Sequence, residues 1–154
     1  MRTSSKEIVK FLQMNCPNPT HAVTLTAVQE SPLHKTKINR VRLEKSIKWA
    51  IKRINTACFN RNQRRKGYSI GVVVTIEGWR AGENLHSHLA LSAPSGIEFN
   101  EFTSVIESVT KKCNWLDRQK DIQPFVDSGW LDYMVKLGPE ALAPHCFYRA
   151  FPLG

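Results

Sequence analysis

The feature that most constrains the fold is a pair of strand-like runs in the middle of the chain. The run "YSIGVVVTIEGW", residues 68–79, is rich in β-branched and apolar residues, and "LHSHLALS", residues 85–92, follows it after the turn "RAGEN". Such residues favour the pleated surface of a sheet, and a short turn between two runs of this kind is typical of an antiparallel hairpin. The sequence therefore predicts a central hairpin.

The second run carries two histidines one residue apart. Alternate residues of a strand share a face, so His86 and His88 are expected on one face of the sheet and Ser87 on the other. Glu77 lies nine residues before His86, and ordinary hairpin pairing brings its carboxylate to the same face. Two imidazoles and a carboxylate suit Mn²⁺ or Zn²⁺, and can hold Mg²⁺ when substrate oxygens and water complete the shell. The alternative is a pair of histidines that lie idle on a solvent-facing sheet surface.

The remaining patterns predict an α+β fold. They indicate, in order, a short helix at 1–15, a strand at 21–28, a basic amphipathic helix at about 38–60, the hairpin, a helix at about 98–112 capped by Ser95 or Asn100, a strand near 121–125 and a last helix near 128–138. This order fits a central antiparallel β-sheet with helices packed on one side. We expect a single domain over residues 1–154, with residues 1–15 as an N-terminal helical extension.

Composition narrows the class of protein. The 154 residues include 22 Lys and Arg against 13 Asp and Glu, a formal charge of +9 that favours polyanionic partners. The four cysteines show no CxxC spacing, so reduced thiols are expected and a structural zinc site is not. No apolar run approaches the length of about 18 residues that a membrane-spanning helix needs, so we expect a soluble, intracellular protein with no membrane partner.

A second chemical element is the stretch "DYMVK". On a helix, Tyr133 and Lys136 at i and i+3 share a face. A tyrosine can act as a nucleophile that forms a covalent intermediate, and a nearby lysine can neutralise phosphate charge. Taken alone, the pair also fits a tyrosine that packs on the sheet beside a solvated lysine.

Three motifs in this order resemble one known family. "VTLT" at 23–26, "HSHLAL" at 86–91 with Glu77 upstream, and "YMVK" at 133–136 resemble the HUH endonucleases, specifically the single-tyrosine replication initiators (Rep proteins) of rolling-circle plasmids, phages and small circular single-stranded-DNA viruses. The resemblance extends over residues 21–137 and implies an RRM-like or ferredoxin-like sheet. One position departs from the pattern, since Ser87 stands where the family has a bulky hydrophobe.

The resemblance implies an activity and its residues. His86, His88 and Glu77 would hold Mn²⁺ or Mg²⁺, Tyr133 would attack the scissile phosphate to give a 5′-phosphotyrosine link, and Lys136 would assist. The enzyme would be a site-specific endonuclease and strand transferase that nicks and joins single-stranded DNA at an origin or hairpin, and so initiates rolling-circle replication of a plasmid, phage, virus or mobile element. Helicase or host replication proteins would be partners, in a prokaryotic cytoplasm or a host nucleus.

Candidate DNA contacts follow from charge and aromaticity. The segment "RNQRRKG" at 61–67 is expected to be a positively charged loop, and tryptophans can stack on unpaired bases. The candidate residues are Arg61, Arg64, Arg65, Lys66 and Trp79, with Trp115 and Trp130 as further stacking candidates. For any one tryptophan, burial in the core is the better alternative, and the charged segment also fits a solvated loop without a ligand.

Two other functions fit part of the pattern. A single-tyrosine HUH transposase shares the order of the motifs, whereas relaxases usually carry the tyrosine ahead of the histidines. A non-catalytic RRM-like module would bind single strands through its sheet face. The exposed aromatics at alternate positions that such modules use are missing from "GVVVTIE" and "LHSHLAL".

Overall fold

The computed structural model describes residues 4–31, 35–80 and 83–153. Within these ranges the helices are α1 (Ser5–Asn15), α2 (Arg40–Cys58), α3 (Arg61–Arg65), α4 (Phe99–Lys111) and α5 (Gly129–Met134). The strands are β1 (His21–Thr26), β2 (Glu30–Ser31), β3 (Thr36–Lys37), β4 (Gly71–Glu77), β5 (His86–Ser92) and β6 (Gln119–Pro124). Short 3₁₀ turns at Pro139–Ala141 and Pro144–Cys146 follow α5.

The described part of the chain forms one four-stranded antiparallel sheet in the order β4-β5-β1-β6, and β2 pairs with β3 separately. With α2 between β1 and β4 and α4 between β5 and β6, this is the ferredoxin-like split βαβ arrangement. The predicted central hairpin is β4 and β5, although turn residues 81 and 82 lie outside the described ranges. The antiparallel α+β fold expected from the sequence is confirmed.

Helices α2 and α4 cover one face of the sheet. Apolar residues recur every three or four positions along α2, which gives it one buried stripe, and the large apolar residues of α4 follow the same spacing. This core contains Leu43, Ile47, Ile51 and Ile54 of α2, Phe102 and Ile106 of α4, and Val72, Val74, Ile76, Leu89 and Leu91 of the sheet.

Helices α1 and α5 cover β4 and β5 on the opposite face. Ile8 and Leu12 of α1 pack with Val73 and Ala90 of the sheet and with Met134 of α5. The expectation of helices on one side is therefore wrong. All seven residues of β4 are buried, and a strand buried on both faces needs cover on both. The predicted N-terminal extension is accordingly part of the fold.

The structure also differs from three local expectations. The predicted basic loop contains a short helix, α3, because Asn60 and Gln63 cap its start reciprocally through side chain and backbone, at 2.9 Å in each direction. Glu98, not Ser95 or Asn100, takes the N-cap position of α4. The last helix ends at Met134, so Lys136 lies in the turn that follows it.

The C-terminal segment lies beside the β4 edge of the sheet. Phe151 pairs with Ser69 and Tyr148 pairs with Val72 as isolated bridges. An edge so paired is protected from adding further strands. In the described ranges no helix is both long and apolar enough to cross a bilayer, and the four cysteines are free thiols.

Ser87 generates a stability prediction. It lies on the α2 and α4 face of β5, fully buried, and its hydroxyl finds no hydrogen-bond partner among the described residues. A buried hydroxyl without a partner costs free energy, so Ser87→Ala is expected to raise the free energy of unfolding by about 1 kcal/mol. Urea unfolding measures this free energy. A loss of stability in Ser87→Ala would contradict the interpretation of Ser87 as a buried hydroxyl without a partner. Leu89→Ala is the control for sensitivity, with an expected loss of about 2–5 kcal/mol.

Candidate metal centre

The hairpin register brings the three predicted ligands together. Glu77 lies opposite His86, and His88 is two residues further along β5 on the same face. Oε2 of Glu77 is 3.1 Å from Nε2 of His86 and 3.5 Å from Nε2 of His88. One ligand atom from each of the three side chains lies within 4.8 Å of the others. The arrangement inferred from strand alternation is confirmed.

Burial sets the charges of this cluster. Glu77 is 4% exposed and His88 is 3% exposed, while His86 is half-buried. Burial by itself raises the pKa of Glu77, but the hydrogen bond and charge of Lys136 outweigh it and hold that pKa below its ordinary value. Burial lowers the pKa of His88 to about 4, against the opposing attraction of Glu77. At neutral pH the carboxylate is therefore charged and the His88 ring is neutral, which is the state that binds metal.

Neighbouring groups orient both imidazoles. The Nδ1 atom of His86 donates to the carbonyl oxygen of Asn84 at 2.9 Å, and Nδ1 of His88 lies 2.9 Å from Oγ1 of Thr24. A carbonyl can only accept, so Nδ1 of His86 carries a hydrogen, and Nε2 of the same ring faces the Glu77 carboxylate at 3.1 Å. Nε2 of His88 is buried and has no hydrogen-bond partner among the described residues. A divalent cation between these atoms would give Nε2 of His88 a partner and would lie beside the Glu77 carboxylate.

The spacing fits a divalent ion. Two ligand atoms that are each about 2.1 Å from an ion and subtend 90–109° are about 3.0–3.4 Å apart. The observed distances of 3.1 and 3.5 Å match that spacing. Two nitrogens and one carboxylate oxygen form a mixed donor set that favours a transition ion such as Mn²⁺ or Zn²⁺. The residues present therefore fit a divalent metal ion.

Gly78 holds the turn that orients His86. Its φ of +81° is unfavourable for residues with a side chain, and an added Cβ would collide with the carbonyl group of Asn84. That carbonyl is the acceptor for His86. A glycine directly after Glu77 thus lets the backbone approach closely enough to fix the ring of the ligand across the hairpin.

Tyr133 and Lys136 meet at the same cluster. The Lys136 ammonium donates to both carboxylate oxygens of Glu77, at 2.9 and 3.1 Å, and lies 3.6 Å from the ring centroid of Tyr133. The Tyr133 ring is 5.1 Å from the ring of His88 and 47% exposed. Although Lys136 lies beyond the end of α5, the two residues come together as their spacing predicted.

Trp130 supports this arrangement from α5. Its indole stacks on the Tyr133 ring at 5.5 Å, meets the edge of His88 at 5.4 Å, and donates through Nε1 to the carbonyl of Leu89 at 3.0 Å. It is therefore a packing residue that seats Tyr133 against the metal ligands. Core packing was the alternative to base stacking for this tryptophan, and the contacts of Trp130 fit packing.

The predicted DNA contacts divide into two places. The cluster Arg61, Arg64, Arg65 and Lys66 precedes the start of β4, whereas Glu77 ends that strand, whose seven residues span about 20 Å at about 3.3 Å per residue. Trp79 lies two residues after Glu77 and is 36% exposed. The structure brings Trp79 near the centre and leaves the basic cluster at the other end of the sheet.

Sequence reasoning missed Arg40, Thr24 and Asn84. The Arg40 guanidinium lies 5.3 Å from the ring centroid of Trp79 and donates to the carbonyls of Glu140 and Leu142 at 2.6 and 2.7 Å. The partners of Arg40 come from distant segments, so no local pattern identifies it. Thr24 lies within the "VTLT" motif at 23–26, but the motif did not indicate its contact with His88.

Of the remaining histidines, His21 is buried and bonded to Thr20 and Thr103 between β1 and α4, which is a structural role. His145 is exposed, and His34 lies outside the described residues.

Comparison with known proteins gives no relative: no protein-family model matches the chain, and no curated protein or solved structure resembles it significantly.

The centre generates a binding prediction. Titration calorimetry with Mn²⁺ is expected to give one site per chain, and His88→Ala is expected to weaken it at least about 100-fold because a ligand is lost. Thr24→Val removes only the group that orients His88, and an effect of about tenfold is expected. His145→Ala, an exposed histidine outside the cluster, is the matched control and should bind as the wild type does. Equal affinity in the wild type and in His88→Ala would contradict the site.

Proposed function

We propose that this protein is a metal-dependent nickase and strand transferase of single-stranded DNA that works through a covalent phosphotyrosine. One observation carries the proposal: the ring of a half-exposed tyrosine, Tyr133, packs on a candidate metal ligand, His88, and its neighbour Lys136 bridges Tyr133 and Glu77. A nucleophile, a cation and an ion site thus share one small surface. That combination suits displacement at a phosphate.

The chain's own residues would divide the work. Tyr133 supplies the nucleophile, and its ring is held between Trp130, Lys136 and His88 so that few orientations are open to it. Lys136 is held by Glu77, which keeps its positive charge beside the tyrosine, where it can meet phosphate oxygens. A fixed charge of this kind needs little reorganisation when the phosphate becomes more negative.

His86, His88 and Glu77 would hold Mn²⁺ or Mg²⁺ at this surface. Such an ion, when bound, supplies polarisation of the scissile phosphate and stabilises the charge that develops on its oxygens. The protein fixes the ligands through Thr24 and the Asn84 carbonyl, so that the Nε2 atoms of both rings face Glu77.

The covalent step balances without a further reactant. The Tyr133 oxygen loses its proton to solvent and forms a bond to phosphorus, while the bond from phosphorus to the 3′ oxygen breaks. That oxygen takes up a proton and leaves as a free 3′-hydroxyl, and the 5′ end stays as a phosphotyrosine ester. The reverse reaction joins strands. Since one phosphodiester replaces another, no nucleoside triphosphate is consumed.

Substrate contacts would start next to the centre. Trp79 is half-exposed two residues from Glu77 and rests on Arg40, which is itself anchored by two carbonyls. A base flanking the scissile phosphate can stack there. The basic cluster Arg61, Arg64, Arg65 and Lys66 would contact phosphates farther along the strand. Recognition of an origin or hairpin, and replication partners such as a helicase, follow from the resemblance to the Rep proteins and belong to the same proposal.

The fold favours catalysis over a binding module. An RRM-like module binds single strands on an open sheet face. Here α1 and α5 cover the β4 and β5 part of that face, and its buried polar groups include Glu77 and His88. Burying a carboxylate and an imidazole is costly, and a base-stacking surface does not need them.

The proposal predicts a covalent adduct. Incubation with pools of labelled single-stranded oligonucleotides and Mn²⁺ is expected to give a protein–DNA band that survives boiling in SDS. Tyr133→Phe should abolish it, by about a thousandfold or more, because the nucleophile is removed. Lys136→Met keeps a side chain of similar length but removes its positive charge, and it should slow adduct formation by about 100-fold.

Tyr68→Phe is the matched control, since Tyr68 is half-buried near the other end of β4, beside Phe59 and Phe151. An adduct that persists in Tyr133→Phe, or one that forms equally well in EDTA, would contradict the proposal.

A further inference from the structure

A groove runs between α2 and α4 on the side of the sheet away from the metal centre. Its volume is about 640 Å³, and its walls are the side chains of both helices. Trp49 and Ala57 of α2 face Val105 and Val109 of α4 across it. A second hollow of about 360 Å³ continues the groove past Trp49 towards Trp115. The exposed surface of the main groove is more apolar than polar.

The rim of the groove is positively charged. Lys45, Arg53 and Lys112 lie along it, all exposed, against a single acidic residue, Glu101. The Arg53 guanidinium lies 5.2 Å from the ring centroid of Trp49 and covers part of one face of the indole. An apolar floor with a basic rim and a tryptophan is typical of a protein-binding hot spot. The charge favours an acidic occupant.

Two of the hydroxyls in the walls are engaged within their own helices. The Thr56 hydroxyl donates to the carbonyl of Lys52 and the Ser104 hydroxyl to that of Asn100, each at 3.0 Å, so both are used within their own helices. A nucleic-acid strand would need partners for its base edges as well as its phosphates. The apolar stripe of an amphipathic helix needs none.

A second copy of this chain fits less well. The formal charge of +9 is repulsive between copies, and a symmetric contact would place Lys45 and Lys112 of both copies near each other. Helix α4 has 13 residues and is about 20 Å long, so three to four turns of a partner helix would match the groove.

We infer that the α2–α4 groove is a docking site for an acidic amphipathic helix of a partner protein. Its apolar residues would lie along the groove beside Trp49 and Val105, and its carboxylates would meet Lys45, Arg53 and Lys112. The groove and the metal centre lie on opposite faces of the sheet, so both can be occupied together. The inference does not depend on the nicking activity.

The test uses a designed peptide as the probe. A fluorescein-labelled 16-residue peptide, with leucines at helical spacing and glutamates elsewhere, is titrated with the full chain and followed by fluorescence anisotropy. Its scrambled version, without the leucine stripe, is expected to bind at least tenfold more weakly. Trp49→Ala and the double variant Lys45→Glu with Lys112→Glu should each weaken binding at least tenfold. The charge-reversed variant should instead prefer a peptide with lysines in place of the glutamates.

Two controls keep the result specific. Phe11→Ala removes an exposed aromatic from α1, and Lys6→Glu with Lys10→Glu makes the same charge change on that helix. Both should bind the acidic peptide within twofold of the wild type. Circular dichroism checks that each variant is folded.

Two outcomes would overturn the inference. One is equal binding of the designed and scrambled peptides. The other is displacement of the peptide by a 16-nucleotide oligothymidine whose own affinity falls with Trp49→Ala, since that would make the groove a nucleic-acid site.

Discussion

The interaction on which the structure depends is the one between the buried carboxylate of Glu77 and the cation of Lys136. A carboxylate that is 4% exposed is costly to bury unless it is paired and hydrogen-bonded. Lys136 donates to both of its oxygens from the turn after α5, and the two histidines of β5 lie against it. The Glu77 carboxylate thus connects the end of β4 to the start of β5 and to the segment after α5.

The same pairing gathers the chemical groups. Helix α5 packs on the β4 and β5 face through Leu131 and Met134, and together with the Lys136–Glu77 bond this places Tyr133 and Trp130 on the ring of His88. The oriented imidazoles in turn depend on Thr24 of β1 and on the turn closed by Gly78. The candidate site is therefore built by four segments, of which only the two strands of the hairpin are close in sequence, and it rests on rigid strands more than on loops.

The sheet and the metal centre could be predicted because both follow from the two-residue period of strands. Alternation placed His86 and His88 on one face, and a plain hairpin register brought Glu77 to them. Burial of both faces of β4 was harder to predict. A short apolar run such as "GVVV" fits a strand buried on one face or on both until the helices are placed. Thr24, which orients His88, comes from a tertiary contact, and the Asn84 carbonyl, which orients His86 from two residues away, depends on the exact geometry of the turn. Lys136 lies beyond α5, where it meets Glu77. The groove between α2 and α4 depends on how two helices pack side by side, which their separate periodicities leave open.

The most direct measurement is anomalous diffraction from crystals of the wild-type protein grown with Mn²⁺. The account predicts a strong peak at about 2.1–2.3 Å from Oε2 of Glu77 and from Nε2 of both His86 and His88, the bond lengths expected of such ligands. Manganese found elsewhere on the protein, with the Nε2 atom of His88 still unpaired, would contradict it. In that case the cluster would be a buried polar network, and the phosphotyrosine chemistry proposed for Tyr133 would lose its metal.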